Sequence, residues 1–276
     1  MIFIYEILAD MTNVPTYSFS RLNGFSTCQY EYYLNYLAKD EDKLEKEDNG
    51  FGLCGTLAHS IFEEYANGKL LQFELKDEFL NRFDYEVPNG VKMVFKNGKS
   101  RDLTEKYKND CANFFETYDG IKGGKQIAAE EDFRLLVKIK DKTLILRGII
   151  DAVIQDDDGE YHIYDFKSKS KFKNEDELKE YARQLYFYSL WIYYKYGRFP
   201  KTLNFLQFRI NVLTTVEFSK EGFEETLCWI YDRVLEIESE QLWTPRCLIP
   251  SDDTFYQDSL CNYRYSCPYS PHYVGE

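Results

Sequence analysis

Two acidic side chains and one amine are spaced so that a β-hairpin could bring them together. Gly148-Ile-Ile-Asp151 ends on an acid, and Asp165-Phe-Lys167 follows the turn residues Asp157-Asp158-Gly159. Aspartate is depleted in strands, and an ionised carboxylate in a half-buried sheet is costly unless it is paired or binds metal. On strand alternation, Ile149, Asp151 and Val153 share one face, as do Ile163, Asp165 and Lys167. The turn decides whether the acids meet. A two-residue Asp158–Gly159 turn pairs 157 with 160 and puts Asp151 and Asp165 on opposite faces. A three-residue loop with Gly159 left-handed pairs 156 with 160, and hence 151 with 165. Opposed carboxylates repel unless a cation lies between them, so the second register predicts a divalent-metal site. Lys167 projects to the same side, where it could stabilise charge on a phosphate or help activate a water. The plain alternative is an exposed hairpin with an ordinary Asp–Lys pair.

Around this hairpin the sequence predicts helices first and strands later. A helix over 18–37 starts near Ser18 or Ser20, and the charged run at 39–48 reads as a solvated loop. Helical patterning returns at 55–67, 70–85 and 102–118, with turns at Pro88-Asn89-Gly90 and Lys96-Asn97-Gly98. After Gly123–Gly124 the period becomes strand-like over 127–139, 143–155 and 160–168. A helix over 175–196 opens with Asn174 and Glu177 as a capping-box variant; strands at 203–211 and 214–219 precede a helix over 220–241. The tail from 243 is irregular. The order predicts a single α/β domain with a central mixed β-sheet flanked by helices, a helical N-terminal part and an irregular Cys-containing tail.

The chain of 276 residues is 44% hydrophobic and only 15 residues are Gly, which excludes a disordered or collagen-like protein. No run of about 18 apolar residues occurs, so no membrane span is expected. Residues 1–9 are apolar but broken by Glu6, with no basic leader, and read as no signal peptide. With seven cysteines, an odd number, intracellular thiols or metal ligands are expected rather than disulfides, and the expected location is cytoplasmic. A net charge of −13 argues against a general nucleic-acid coat, but not against an enzyme that reaches nucleic acid through cations held by carboxylates.

The order of these groups resembles the RecB-like branch of the PD-(D/E)XK nuclease superfamily, whose restriction-endonuclease-like core carries G-x-x-D, (D/E)-x-K and Q-x-x-x-Y. The matching residues are Gly148 and Asp151, then Asp165 and Lys167, then Gln184 and Tyr188, which lie four apart on one helix face. The resemblance covers residues 16–270 and extends upstream to Gly55-Thr-Leu-Ala-His59, whose histidine would help hold metal, and to an acid before the G-x-x-D strand. Glu130 and Glu131 both qualify for that acid, and Glu130 is preferred. The resemblance implies hydrolysis of phosphodiesters with Mg²⁺ or Mn²⁺ held by His59, Asp151, Asp165 and the Phe166 carbonyl, with Lys167 orienting or deprotonating the attacking water. It implies a core over about 127–241, a variable helical insert over about 68–125, and DNA as substrate, with single-stranded ends acted on by an exonuclease in recombination, repair or replication. A helicase or recombination partner is also expected. The run Lys167, Lys169, Lys171, Lys173, with Phe172 inside it, could track a phosphate backbone, or be a solvated loop. The rival reading is a non-catalytic nucleic-acid-binding or scaffolding subunit.

In AddB-type subunits and CRISPR-associated nucleases of spacer acquisition, one N-terminal and three C-terminal cysteines hold an iron–sulfur cluster in the pattern C…C-x2-C-x5-C. Here 18–37 supplies Cys28 and the tail at 245–270 supplies Cys261 and Cys267, but the position three before Cys261 is Asp258. Three outcomes stay open for a [4Fe–4S] cluster: Asp258 as an oxygen ligand, Cys247 as the fourth thiolate, or no cluster. Cys54, Cys111 and Cys228 are expected to be core residues.

Overall fold

The Val-, Ile- and Leu-rich segments beyond Gly124 pair into one mixed sheet in a computed structural model that describes residues 2–6 and 14–275. The reading of residues 1–9 lies partly outside those residues. In chain order the described elements are strands β1 (Ile2–Glu6) and β2 (Thr16–Ser18), then helices α1 (Phe19–Thr27), α2 (Gln29–Tyr36), α3 (Gly50–Ala66) and α4 (Leu75–Glu86). A short hairpin of β3 (Lys92–Val94) and β4 (Ser100–Asp102) leads to helix α5 (Thr104–Thr117). Strands β5 (Lys125–Ile139), β6 (Lys142–Gln155) and β7 (Tyr161–Lys167) precede helix α6 (Glu175–Tyr196), strands β8 (Thr202–Gln207) and β9 (Val212–Glu217), and helix α7 (Lys220–Ser239). The chain divides into two compact units: Met1–Leu22 with Asp119–Ser239, and Asn23–Tyr118 with Glu240–Glu276.

The first unit is the sheet with its helices. Along its strand order β1-β5-β6-β7-β8-β9 the pairs are antiparallel except β7 with β8, parallel through the α6 crossover, and β2 pairs with β6, also in parallel. Strand β6 pairs with β5 along nearly its whole length, while its other edge is shared by two shorter partners. Strand β2 takes Ile145–Arg147 and β7 takes Ala152–Gln155. Residues 148–151 therefore lie in the gap where one neighbour has ended and the next has not begun. Helix α6 packs against β7 and β8, and α7 packs against α6. Leu135, Leu146, Ile150, Ile163, Phe187, Leu203, Phe205 and Ile230 are buried in this core, each contributing about 1.5–3 kcal/mol. Helix α6 is capped as its sequence predicts: Asn174 accepts the Glu177 N–H at 2.9 Å, and the Glu177 carboxylate accepts the Lys173 N–H.

The second unit is mainly helical. Helices α3, α4 and α5 pack in sequence around Leu57, Ile61, Phe79, Phe83 and Phe115. Four expectations need correction. The helix over 18–37 is two helices, because Cys28 is extended (φ −157°, ψ 110°) and its sulfur accepts the Glu31 N–H as the N-cap of α2. The segment between α4 and α5 contains the β3–β4 hairpin, turned at Gly98 with φ +76°. Cys228 is exposed on α7 rather than in the core, whereas Cys54 and Cys111 are buried. The strand expected over 203–211 ends at Gln207, where Phe208–Ile210 form a 3-10 turn that leads into a left-handed Asn211.

Candidate active site

The hairpin between β6 and β7 has the three-residue loop. Asp156 N–H donates to Glu160 O at 3.0 Å, Gly159 N–H donates to Asp156 O at 3.0 Å, and Gly159 has φ +78°. The last registered pair is Ala152 with Tyr164, so Asp151 stands opposite Asp165 one step further on. There the ladder opens, and Phe166 N–H donates to the Asp151 carboxylate at 2.5 Å instead of to a backbone carbonyl. Both acids are buried, Asp151 to 8% exposure and Asp165 to 2%. Carboxylates so far from water need strong partners.

Lys167 is one such partner. Its Nζ lies 2.8 Å from Asp165 Oδ2 and donates to Gln184 Oε1 at 3.0 Å, and Gln184 Nε2 in turn donates to Tyr188 Oη at 2.8 Å. Burial alone would pull the Lys167 ammonium down, but Asp165 and Asp151 outweigh it and its pKa is raised. Burial, reinforced by Asp165, pushes the Tyr188 phenol far above its ordinary value, so Tyr188 stays neutral. Its neighbour Gly148 has no room for a side chain. A Cβ there would come within 2.8 Å of Tyr188 Cε1 and 2.9 Å of Phe133 Cε1. The glycine of G-x-x-D is thus a packing requirement, the place where two rings press on the strand.

Glu130 comes from β5. The pairs Ala129↔Ala152 and Glu131↔Ile150 keep one register on either side of it, which sets Glu130 opposite Asp151, yet its own φ is +45°. A left-handed non-glycine residue costs about 1–2 kcal/mol. A Glu130 carboxylate oxygen lies within 4.8 Å of one from Asp151. Carboxylates from three adjacent strands thus line up here: Glu130 meets Asp151, and Asp165, opposite Asp151, pairs with the Lys167 ammonium at 2.8 Å. That hard-oxygen donor set and its excess of negative charge fit a divalent cation such as Mg²⁺ or Mn²⁺.

The first unit by itself brings together Glu130, Asp151, Asp165, Lys167, Gln184 and Tyr188. His59 is half-buried on α3 of the second unit. Of the basic run, Lys169 is tied to Glu177 at 2.8 Å and lies 4.5 Å from the Tyr181 ring centre, while Lys171 and Lys173 are exposed. Glu131, the alternative to Glu130 in the sequence, has a role that the sequence reading did not assign. It accepts hydrogen bonds from Trp191 Nε1 at 3.0 Å and from Lys195 Nζ, and the spacing of those two partners on a helix was the available signal.

A separate group of thiols lies in the second unit. Cys28, Cys247, Cys261 and Cys267 line one small cavity with Glu31 and Tyr256. Cys28 Sγ accepts the backbone N–H groups of Glu31 and Arg246, each at 3.4 Å. Burial raises all four thiols, Cys247 to about 11, so without a cation they are protonated. Asp258 is itself buried and pairs with His272 Nε2 at 2.9 Å. Four sulfurs lining one cavity are the donor set that a thiolate-held cluster requires.

The family described as the PD-(D/E)XK nuclease superfamily matches residues 16–271. Among solved structures, a protein from Eubacterium rectale, provisionally described as an exonuclease, matches with a TM-score of 0.47 and 13% identity over 88% of this chain and 89% of that one. No curated protein matches the chain. No helix among the described residues is long and apolar enough to cross a membrane.

Proposed function

Because the chain belongs to the PD-(D/E)XK nuclease superfamily, we propose that it is a Mg²⁺- or Mn²⁺-dependent deoxyribonuclease that degrades DNA from single-stranded ends. The observation that carries this reading is the buried Asp151–Asp165 pair with Lys167 bonded to Asp165. Asp151, Asp165 and Glu130 would hold the cation, joined, as the resemblance implies, by His59 and the Phe166 carbonyl. When bound, the cation polarises the phosphoryl oxygen and lowers the pKa of the attacking water.

The chain's own residues do the rest. Lys167, held between Asp165 and Gln184, points a donor at the place where phosphate oxygens gather charge, and orients the water that attacks phosphorus as the P–O bond to the leaving nucleotide breaks. Gln184 and Tyr188 keep that amine in one rotamer and stand beside the path of the DNA strand. Exposed Lys171 and Lys173 provide charge for the backbone leading away from the site. Recombination, repair or replication, in concert with a helicase, are the settings in which such ends arise. The test is cleavage of 5′- and 3′-labelled single and double strands, with and without Mg²⁺ or Mn²⁺, alongside Asp165→Ala. Single strands that survive an excess of enzyme and metal rule the reading out.

The same reading includes a [4Fe–4S] cluster on Cys28, Cys247, Cys261 and Cys267. Cys247 replaces the ligand that the family pattern puts at 258, because Asp258 is committed to His272. A cluster there would tie the irregular tail to the start of α2. Iron and acid-labile sulfide in anaerobically purified protein test it; zinc or no metal counts against it.

A further inference from the structure

Glu131 neighbours the acidic group without belonging to it, yet it is unusually well held. Its side chain is 14% exposed on a strand position across from the fully buried Ile150. One carboxylate oxygen takes both the Trp191 indole N–H and the Lys195 ammonium. Trp191 is fixed in turn, stacked on Phe133 of the same strand with ring centres 5.6 Å apart and planes 13° apart. Strand β5 is thus clamped to α6 at two points that bracket Asp132.

The clamp lies on the same helix stripe as the catalytic contacts. Gln184, Tyr188, Trp191 and Lys195 recur at intervals of four, three and four, so they line one face of α6. One end of this stripe holds Lys167, and the other holds Glu131. Next to Glu131 in the chain is Glu130, left-handed at φ +45° although the pairs on both sides of it keep their register. A residue in that conformation persists only where its surroundings over-determine it. Both neighbours are held in the ladder, Ala129 by Ala152 and Glu131 by Ile150, and Glu131 is fixed through its side chain as well.

We infer that Glu131 is a positioning residue: pinned by Trp191 and Lys195, it holds the Glu130 backbone in the turned conformation that brings the Glu130 carboxylate to Asp151. It binds no cation itself. This role rests on the reading of Glu130 as a metal ligand, and the experiment separates the two.

Mn²⁺ affinity of the full chain is measured by the electron paramagnetic resonance of free Mn²⁺, without DNA, for Glu130→Ala, Glu131→Ala, the double variant and Trp191→Phe. Glu131→Ala is expected to weaken Mn²⁺ about tenfold. The double variant is expected to be no weaker than Glu130→Ala alone, since Glu131 acts only through Glu130. Trp191→Phe keeps an aromatic ring against Phe133 and deletes the donor; it is expected to weaken Mn²⁺ several-fold and answers the question if Glu131→Ala does not fold. If Glu130→Ala weakens binding while Glu131→Ala and Trp191→Phe do not, or if the two glutamate effects multiply, the positioning role is overturned and the site stands. If Glu130→Ala leaves Mn²⁺ binding intact, Glu130 is no ligand and the positioning role falls with it.

Discussion

Asp151 stands opposite Asp165 one step beyond the last bonded pair of the β6–β7 hairpin, and its carboxylate takes the Phe166 N–H that the opened ladder releases. The strand edge is vacant at that step because β2 has ended and β7 is only beginning to pair. The two acids are thus buried side by side at a break in the sheet.

Neutralising either acid should sharply slow cleavage without loss of fold. Asp151→Asn retains the acceptor for Phe166 N–H, and Asp165→Asn retains the shape beside Lys167. Each is expected to lower kcat at least a hundredfold, with roughly that scale set by losing one charged group at a reacting phosphate. Gel-shift measurements should show DNA still bound.

Gly148→Ala should damage both packing and chemistry. The new methyl would press on Tyr188 and Phe133, and overpacking of this kind costs about 1–3 kcal/mol. A lower thermal midpoint together with reduced kcat is expected, because Tyr188 positions Gln184 and through it Lys167. An unchanged midpoint would show that the rings have space to yield.

The cysteine site separates Cys247 from Asp258. If the proposed cluster is bound, Cys247→Ala should lose its iron and visible absorbance. Asp258→Asn should keep both while lowering the thermal midpoint, since it weakens the buried pair with His272. Iron retained by Cys247→Ala and lost by Asp258→Asn would reverse the assignment.

The hairpin that sets the register should respond to acid. The hydrogen bond from His162, helped by the Glu160 N–H, holds the Asp156 carboxyl below its ordinary 3.8. A carboxyl lowered by folding stabilises the folded state above its unfolded pKa, and that contribution is lost as pH falls through the lower folded value. The hairpin is therefore expected to weaken below about pH 4. Melting curves of the wild type and Asp156→Asn should converge there, and parallel curves down to pH 3 would contradict it.

The helix over 175–196 was legible because Asn174, Glu177 and the apolar spacing all agree, and α6 has those bounds. The 18–37 helix was not, because the break at Cys28 comes from a sulfur accepting a backbone N–H, for which helical periodicity carries no signal. The short β3–β4 strands were invisible for a related reason: three-residue strands show no alternation.

For the site, the types and order of Asp151, Asp165, Lys167, Gln184 and Tyr188 were set by local sequence, since period-two and helical spacing are properties of neighbours along the chain. The loop length between β6 and β7 was left at two alternatives, and only the folded hairpin chose between them. The left-handed turn at Glu130 and its clamp through Glu131, Trp191 and Lys195 were decided by tertiary structure alone. They depend on contacts between residues some 60 positions apart, and no local pattern encodes which side chain a distant strand will meet.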